Sequence, residues 1–408
     1  MANITAPSPE TSKRWLTRGV LGLGLGSLFS DWGHETATSI LPAFLASIGA
    51  PPVALGIIEG VSDGIASFAK LAGGWIADRP RLRKPSAVVG YVIIGLSTFA
   101  YALANSWPAI LVTRALGWVG RASSPSRSAL LADAVASEQQ GRAFGFERAL
   151  DTIGAVLGPL CATILLSVLS LRAIFRWTLL PCLMAAIIFA ILVPPGKTDQ
   201  TRRAPSFVSS FGQLPKTYWH YLTGVFAHGI GDFAPTLLIL RAGQILTPRF
   251  GFARASAIAV ALYTFFNVVN AAASYPAGAL ADRVGKRGVL AVGYLLAVVA
   301  FAGFIFEPPT IPMLGLLFGV AGIHDATQQA VEKSLAAEIL PTAVRGSGFG
   351  VLAAVNGIGD LFSSVVVGVL WTKVSANAGF IYAATFAFLG AVLIYFYTGK
   401  AAAAAGAT

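Results

Sequence analysis

The chain has 408 residues, of which 55% are apolar and only 12% charged, with a net charge of +11 and two cysteines. Soluble domains carry roughly a quarter charged residues, so a mean hydropathy of +0.71 excludes a soluble globular enzyme and points to a lipid bilayer. The basic excess does not mark a nucleic-acid binder, because its Lys and Arg sit in short gaps between apolar runs and not on one polar face.

Residues 1–18 read as a polar cytoplasmic tail, with Lys13, Arg14 and Arg18 ahead of the first apolar run. That run is long and has no small-residue cleavage site, so it reads as a retained span and not a signal peptide. About 20 mostly apolar residues cross a bilayer as a helix. Twelve such stretches follow, at 19–47, 53–77, 86–105, 108–134, 142–169, 174–194, 217–241, 256–281, 288–306, 311–336, 346–372 and 378–398. The expected fold is an all-α membrane protein of twelve transmembrane helices in two pseudo-symmetric six-helix bundles, 19–195 and 217–398. A charged cytoplasmic linker, 196–216, divides them, and 399–408 is a cytoplasmic tail. Within the linker, Phe207 to Leu214 reads as a short piece on the membrane surface.

One set of loops is strongly basic: Arg79 to Lys84, Lys197 to Arg203, Arg283 to Arg287, Arg345 and Lys400. The other set, near Pro51, Asn105 and Pro308, carries almost no charge. The positive-inside rule makes the basic set cytoplasmic and puts both termini inside the cell's inner membrane. Arg241, Arg249 and Arg254 after span seven depart from the rule locally. Cys161 and Cys182 lie within apolar runs, which speaks against a disulfide framework or a Cys-rich metal site.

Gly74-Trp75-Ile76-Ala77-Asp78-Arg79 closes span two, and Gly278-Ala279-Leu280-Ala281-Asp282-Arg283 closes span eight, half the chain later. Each half holds an even number of spans, so an axis along the membrane normal should relate them. The second copy continues as Gly285-Lys286-Arg287 and resembles in full the loop signature of the major facilitator superfamily. The first copy is altered, with Pro80 and Arg81 in place of the short turn. The resemblance covers all twelve spans and is to the bacterial, drug/proton-antiporter-like members. It implies a cytoplasmic gate in which Asp78 faces the start of span eleven near Arg345. Asp282 would face the start of span five near Arg142, and Asp133 would pair with the Arg79 cluster. Gly154-x-x-x-Gly158-Pro159 in span five resembles an antiporter motif without its trailing glycines. Arg114 resembles the membrane-embedded arginine of that group, although Trp118 stands where a glycine is expected.

A charge at mid-bilayer costs roughly 2.5–3.5 kcal/mol on insertion scales, so each requires a reason. Asp31 and Glu35 share one face of span one, with His34 turned about 100° away from Asp31. Aligning Phe29 with Phe226 sets Asp31 against His228 and Glu35 against Asp232, an ionisable pair at one depth in each half. These groups either hydrogen-bond between helices or carry protons, for which a carboxyl in a partly dry cavity and a histidine are suited. Asp63 and Lys70 in span two, matched by Asn267 and Ser274, read as a buried pair or, for Asp63, a cavity group. The charged run from Arg121 to Asp151 and its counterpart from His324 to Glu338 read as a gate network. Arg121, His324 and Asp325 lie deeper, within reach of cargo, and Asp360 is a further candidate.

No nucleotide-binding loop or hydrolase spacing appears, so neither an ATP-driven pump nor an enzyme is expected, and no cofactor is implied. The favoured reading is proton-coupled efflux of a small organic or amphipathic compound by a monomeric alternating-access transporter. One alternative is export of a transition metal on Asp31, His34, Glu35, His228 and Asp232. The other is proton-coupled uptake of an organic anion or nutrient at Arg114 or Arg121.

Overall fold

The computed structural model describes residues 16–77, 79–135, 140–196, 214–305, 310–341 and 345–405. The tail before residue 16, Asp78, the linker 197–213 with most of its apolar piece, the loop at Pro308 and the last three residues lie outside the described residues. So do the side chains of Lys70, Gly74, Arg142 and Arg345.

The described residues are almost wholly helical. Span one is α1 (Arg18–Ser47), capped by Thr17, whose hydroxyl accepts from the Val20 amide at 3.2 Å. Spans two and three are α2 (Pro52–Ala77) and α3 (Pro80–Ala100). Span four is broken into α4 (Trp107–Val119) and α5 (Ser124–Asp133), joined by a tight turn at Gly120–Ser123. Gly120 and Gly90 allow this turn to press on α3, where a Cβ at Gly120 would stand 2.7 Å from the Gly90 carbonyl. Span five is α6 (Gln140–Leu165), and span six is α7 (Leu171–Trp177) plus α8 (Leu179–Leu192). They are interrupted at Thr178, whose hydroxyl bonds Thr98 at 3.0 Å.

The second half repeats the plan. Span seven is α9 (Lys216–Gly229) and α10 (Thr236–Phe250), parted by a non-helical stretch at 230–235. Spans eight to twelve are α11 (Phe252–Val284), α12 (Lys286–Gly303), α13 (Ile311–Ile339), α14 (Arg345–Lys373) and α15 (Ala376–Ala405). Gly285, at φ +103°, turns α11 into α12 in a conformation that side-chain-bearing residues avoid. In the altered first copy, Pro80 starts α3 instead, a favoured first helical residue.

In the first bundle spans one and five, one and six, two and four, and three and six pack together. Spans seven and eleven, seven and twelve, eight and ten, and nine and twelve repeat those pairings in the second. The contacts between bundles, two with eleven and eight with five, also exchange when the halves are swapped. This is the pattern that a two-fold axis through the interface requires.

Among the described residues, eight stretches are long and apolar enough to cross a membrane by length and composition alone. Spans one, four, seven and ten are not among them, at every third position. They carry many of the charges and two of the breaks, and their polar residues face a shared cavity. Polar groups and irregular backbone are tolerated at membrane depth where they line such a space.

The loops after spans two and eight, with Arg83 and Lys286, lie at one end of the bundles, called here the basic face. Toward the opposite face a single apolar cluster runs through both bundles, with Ile40, Phe44 and Phe175 joined to Phe233, Phe301 and Phe380. Toward the basic face the cores separate, one around Leu23, Tyr91 and Phe189, the other around Tyr221, Tyr294 and Leu335. Glycines tighten the seal on the opposite side. A Cβ at Gly60 would stand 2.6 Å from the Leu361 carbonyl, and one at Gly56 would collide with that of Ser364. The cavity therefore opens on the basic face.

Candidate functional site

The cavity has two adjoining lobes of about 510 and 530 Å³. His34, Glu35, Arg121, Tyr263, Asp325 and Lys333 border both. Asp31 and Arg127 belong to the lobe nearer the basic face, and Glu59, Asp63, Asp232 and Asp360 to the deeper one.

In the first half, one face of α1 turns Asp31 and Glu35 into the cavity. Glu35 Oε2 accepts a hydrogen bond from the Tyr263 hydroxyl at 3.1 Å, which ties span one to span eight across the bundle interface. Behind Glu35, the span-five motif acts as a packing device. A Cβ at Gly158 would stand 2.6 Å from Glu35 Cβ, and the Thr36 hydroxyl donates to the Gly158 carbonyl at 3.1 Å. Gly154 meets the Leu28 backbone in the same way, and Pro159 lies within α6. His34 turns toward Trp118, edge to face at 5.2 Å, with Nε2 3.4 Å from the Thr38 hydroxyl.

Arg114 has a partner that sequence reasoning did not weigh. Its Nη2 lies 2.5 Å from Glu59 Oε2, and the two side chains are 2% and 3% exposed. Such a pair is a structural unit, since each charge would be costly alone. Glu59 was visible in the sequence as an acid inside span two, but nothing there tied it to Arg114 in span four. Arg121 differs. Its guanidinium lies 3.7 Å from the centre of the Trp118 ring, and no carboxylate among the described residues is within ion-pair distance of it. Arg127 donates to the Tyr91 hydroxyl at 2.9 Å, and Ser27 donates to Glu147 at 2.5 Å, so this part of the charged run is tied into the first bundle.

The second half corrects the expected equivalence. Span one is helical through Asp31 and Glu35, but α9 ends at Gly229, before Asp232. His228 is fully buried and stacks on Tyr294 at 3.6 Å, away from the cavity. Asp232 lies between two imidazoles, 3.7 Å from His228 and 3.6 Å from His324. The structure therefore joins His324 to His228 and Asp232, and does not gather Asp31, His34 and Glu35 with them. Asp325 accepts from Asn270 at 2.5 Å and from Gln329 at 3.0 Å. Asn267 donates back to the Tyr263 carbonyl at 3.2 Å. Glu332, expected in a solvated gate network, is instead buried, bonded by Tyr294 at 2.5 Å and Asn356 at 2.8 Å.

The sequence model described as Major Facilitator Superfamily matches residues 23–253 and, a second time, 224–407. The chain belongs to this superfamily. It is a multi-pass membrane transporter and not an enzyme. An uncharacterised MFS-type transporter of Methanocaldococcus jannaschii is 27% identical, over 94% of this chain and 96% of its own. A cis,cis-muconate transport protein of Acinetobacter baylyi is 24% identical, over 76% of each. Among solved structures, the nucleoside transporter NupG shares the fold at a TM-score of 0.74 and 15% identity, covering 93% of this chain and 98% of that one.

The superfamily's loop motif sits at the open, basic face. Asp282 is 70% exposed, and its ion pair is with Lys286 of the same half at 3.9 Å; Lys286 also meets Glu338 at 3.1 Å. The expected partner of Asp282 at the start of span five, Arg142, has a side chain outside the described residues. Gly278 has nothing near it, and Arg283 is exposed. In the first half Asp133 pairs with Arg83 at 2.7 Å. Arg83 also donates to the Ala77 carbonyl at 2.6 Å, which braces the loop between spans two and three.

Proposed function

We propose that the protein takes up a small polar organic acid together with protons, by alternating access across the inner membrane. The basic face is cytoplasmic on this reading, so the structure is an inward-open state. The motif at Asp282 would close that face in the outward-open state.

The observation that carries the proposal is Arg121. It is a cation in the cavity wall, set against Trp118 and lacking a carboxylate partner among the described residues. A guanidinium so placed matches a carboxylate in geometry and charge. The charged lining favours a polar cargo over the amphipathic one suggested by the sequence, and the likeness to a muconate carrier supports an acid. Asp31 and Glu35, beside Arg121, would carry the protons. An anion entering a cell works against about 2.3 kcal/mol per charge per 100 mV, which a co-transported proton offsets. Export of an anion needs no such help, and that favours uptake.

Proteoliposomes with an imposed pH gradient provide the test. Labelled cis,cis-muconate should accumulate in the direction of proton flow, and Arg121→Ala should slow it at least ten-fold, about 1.4 kcal/mol or more. Asp31→Asn with Glu35→Gln should abolish the dependence on the gradient. Transport of cationic dyes with no movement of carboxylates would overturn the proposal in favour of drug efflux.

A further inference from the structure

We propose that His228, His324 and Asp232 form a binding site for a divalent transition-metal ion of the zinc class, open to the transport cavity. Three elements converge there. The last turn of α9 supplies His228, the break after it supplies Asp232, and α13 supplies His324. One donor atom from each residue can be chosen so that all lie within 4.8 Å of one another. The carboxylate of Asp232 lies between the rings, with Oδ2 3.7 Å from His228 Nε2 and Oδ1 3.6 Å from His324 Nε2. A tetrahedral site with bonds near 2.0–2.1 Å sets its donors roughly 3.3 Å apart. Side-chain shifts of a few tenths of an ångström would bring the close pairs into range.

The imidazoles are held for this role. His324 Nδ1 lies 2.9 Å from the Gly293 carbonyl oxygen, so it donates there and leaves Nε2 with its lone pair toward Asp232. A backbone carbonyl on the second nitrogen is a common support for a metal-binding histidine. His228 is fixed by its stack on Tyr294 and by Gly390, where a Cβ would stand 2.6 Å from His228 Cβ. Both nitrogens of His228 and Nε2 of His324 are buried without a hydrogen-bond partner among the described residues, Asp232 standing 3.6–3.7 Å from the two Nε2 atoms. Leaving such groups unsatisfied costs about 1–3 kcal/mol each, and an ion would satisfy one on each ring. The Oε1 atom of Gln328 is also buried and unpaired, one helical turn beyond His324, and is the candidate fourth donor. Asp232, His324 and Gln328 border the deeper lobe, so a ligand position would face the cavity. Two imidazoles with a carboxylate suit zinc, cobalt or nickel, and not Cu(I) or calcium.

The same three groups could instead relay a proton, and direct metal titration separates the two roles. Tag-free, full-length protein in detergent is titrated with Co²⁺ without cargo, following visible absorption, and then with Zn²⁺. One equivalent of Co²⁺ should give a tetrahedral-type band that Zn²⁺ displaces. Asp232→Asn and His324→Gln should each weaken binding roughly ten-fold or more, while the exposed His220→Ala should not. His324→Gln and Asp232→Asn nearly conserve volume, and gel filtration checks that they fold. No saturable band in the unaltered protein, or unchanged affinity in both variants, overturns the proposal. No flux is measured, so the outcome is independent of the organic-acid reading.

Discussion

Breaking the Glu59–Arg114 pair tests whether Arg114 is a structural arginine, distinct from the Arg121 proposed to meet cargo. Arg114 Nη2 and Glu59 Oε2 meet at 2.5 Å with both side chains almost fully buried. Arg114 Nε and Nη1 and Glu59 Oε1 have no other hydrogen-bond partner among the described residues, so each charge depends on this one contact. Glu59→Gln keeps the shape and strands the Arg114 guanidinium against α2. Losing one member of a buried pair costs about 3–5 kcal/mol, which is roughly two to three and a half orders of magnitude in an unfolding equilibrium. The double change Glu59→Leu with Arg114→Met removes both charges and should cost much less, because no uncompensated ion remains. The assay is equilibrium unfolding in mixed micelles, run on the unaltered protein, each single variant and the double variant. The double variant should be more stable than Glu59→Gln. If Glu59→Gln unfolds with the unaltered protein and loses only transport, the pair is not structural, and Arg114 returns as a cargo group.

Gly158→Leu should leave the protein in the membrane but abolish flux. Its side chain would fall where Glu35 Cβ and the Thr36 amide now stand, 2.6 and 2.8 Å from the new Cβ, and overpacking of this kind costs about 1–3 kcal/mol; normal proteoliposome flux would contradict the packing role. Gly56→Leu should wedge α2 from α14 at the Ser364 carbonyl and loosen the closed face. A cysteine placed at Ala43 should then label faster with a membrane-impermeant thiol reagent added from the opposite face, and an unchanged rate would count against the seal. Arg83→Ala should change stability by less than about 1 kcal/mol, because the Arg83–Asp133 pair is partly exposed; a larger loss in the same unfolding assay would show that the brace does more.

Much of the fold was legible because the bilayer restricts a spanning chain to long helices, and a duplicated motif marks duplicated structure. The apolar runs coincide with described helices, eight of them apolar enough to cross a membrane, and the repeat matches the paired packing of the halves. What was not legible lies in contacts between residues far apart in the chain. Glu35 meets Tyr263, Glu59 meets Arg114, and Asp232 meets His324, and no local spacing encodes any of these. The break in span seven had a visible signal in Gly229, Gly231 and Pro235, yet an alignment that assumed continuous helix carried Asp232 to the depth of Glu35. The pattern of polar spans offers a more general lesson. Spans one, four, seven and ten fall short as apolar membrane helices because they are broken or rich in polar groups, and those groups border the cavity. In such a chain a charge in an apolar run marks the cavity wall, but only the packing shows which charges are already matched. By that criterion Arg114 belongs to the scaffold, whereas Arg121 faces the cavity with no carboxylate at ion-pair distance among the described residues.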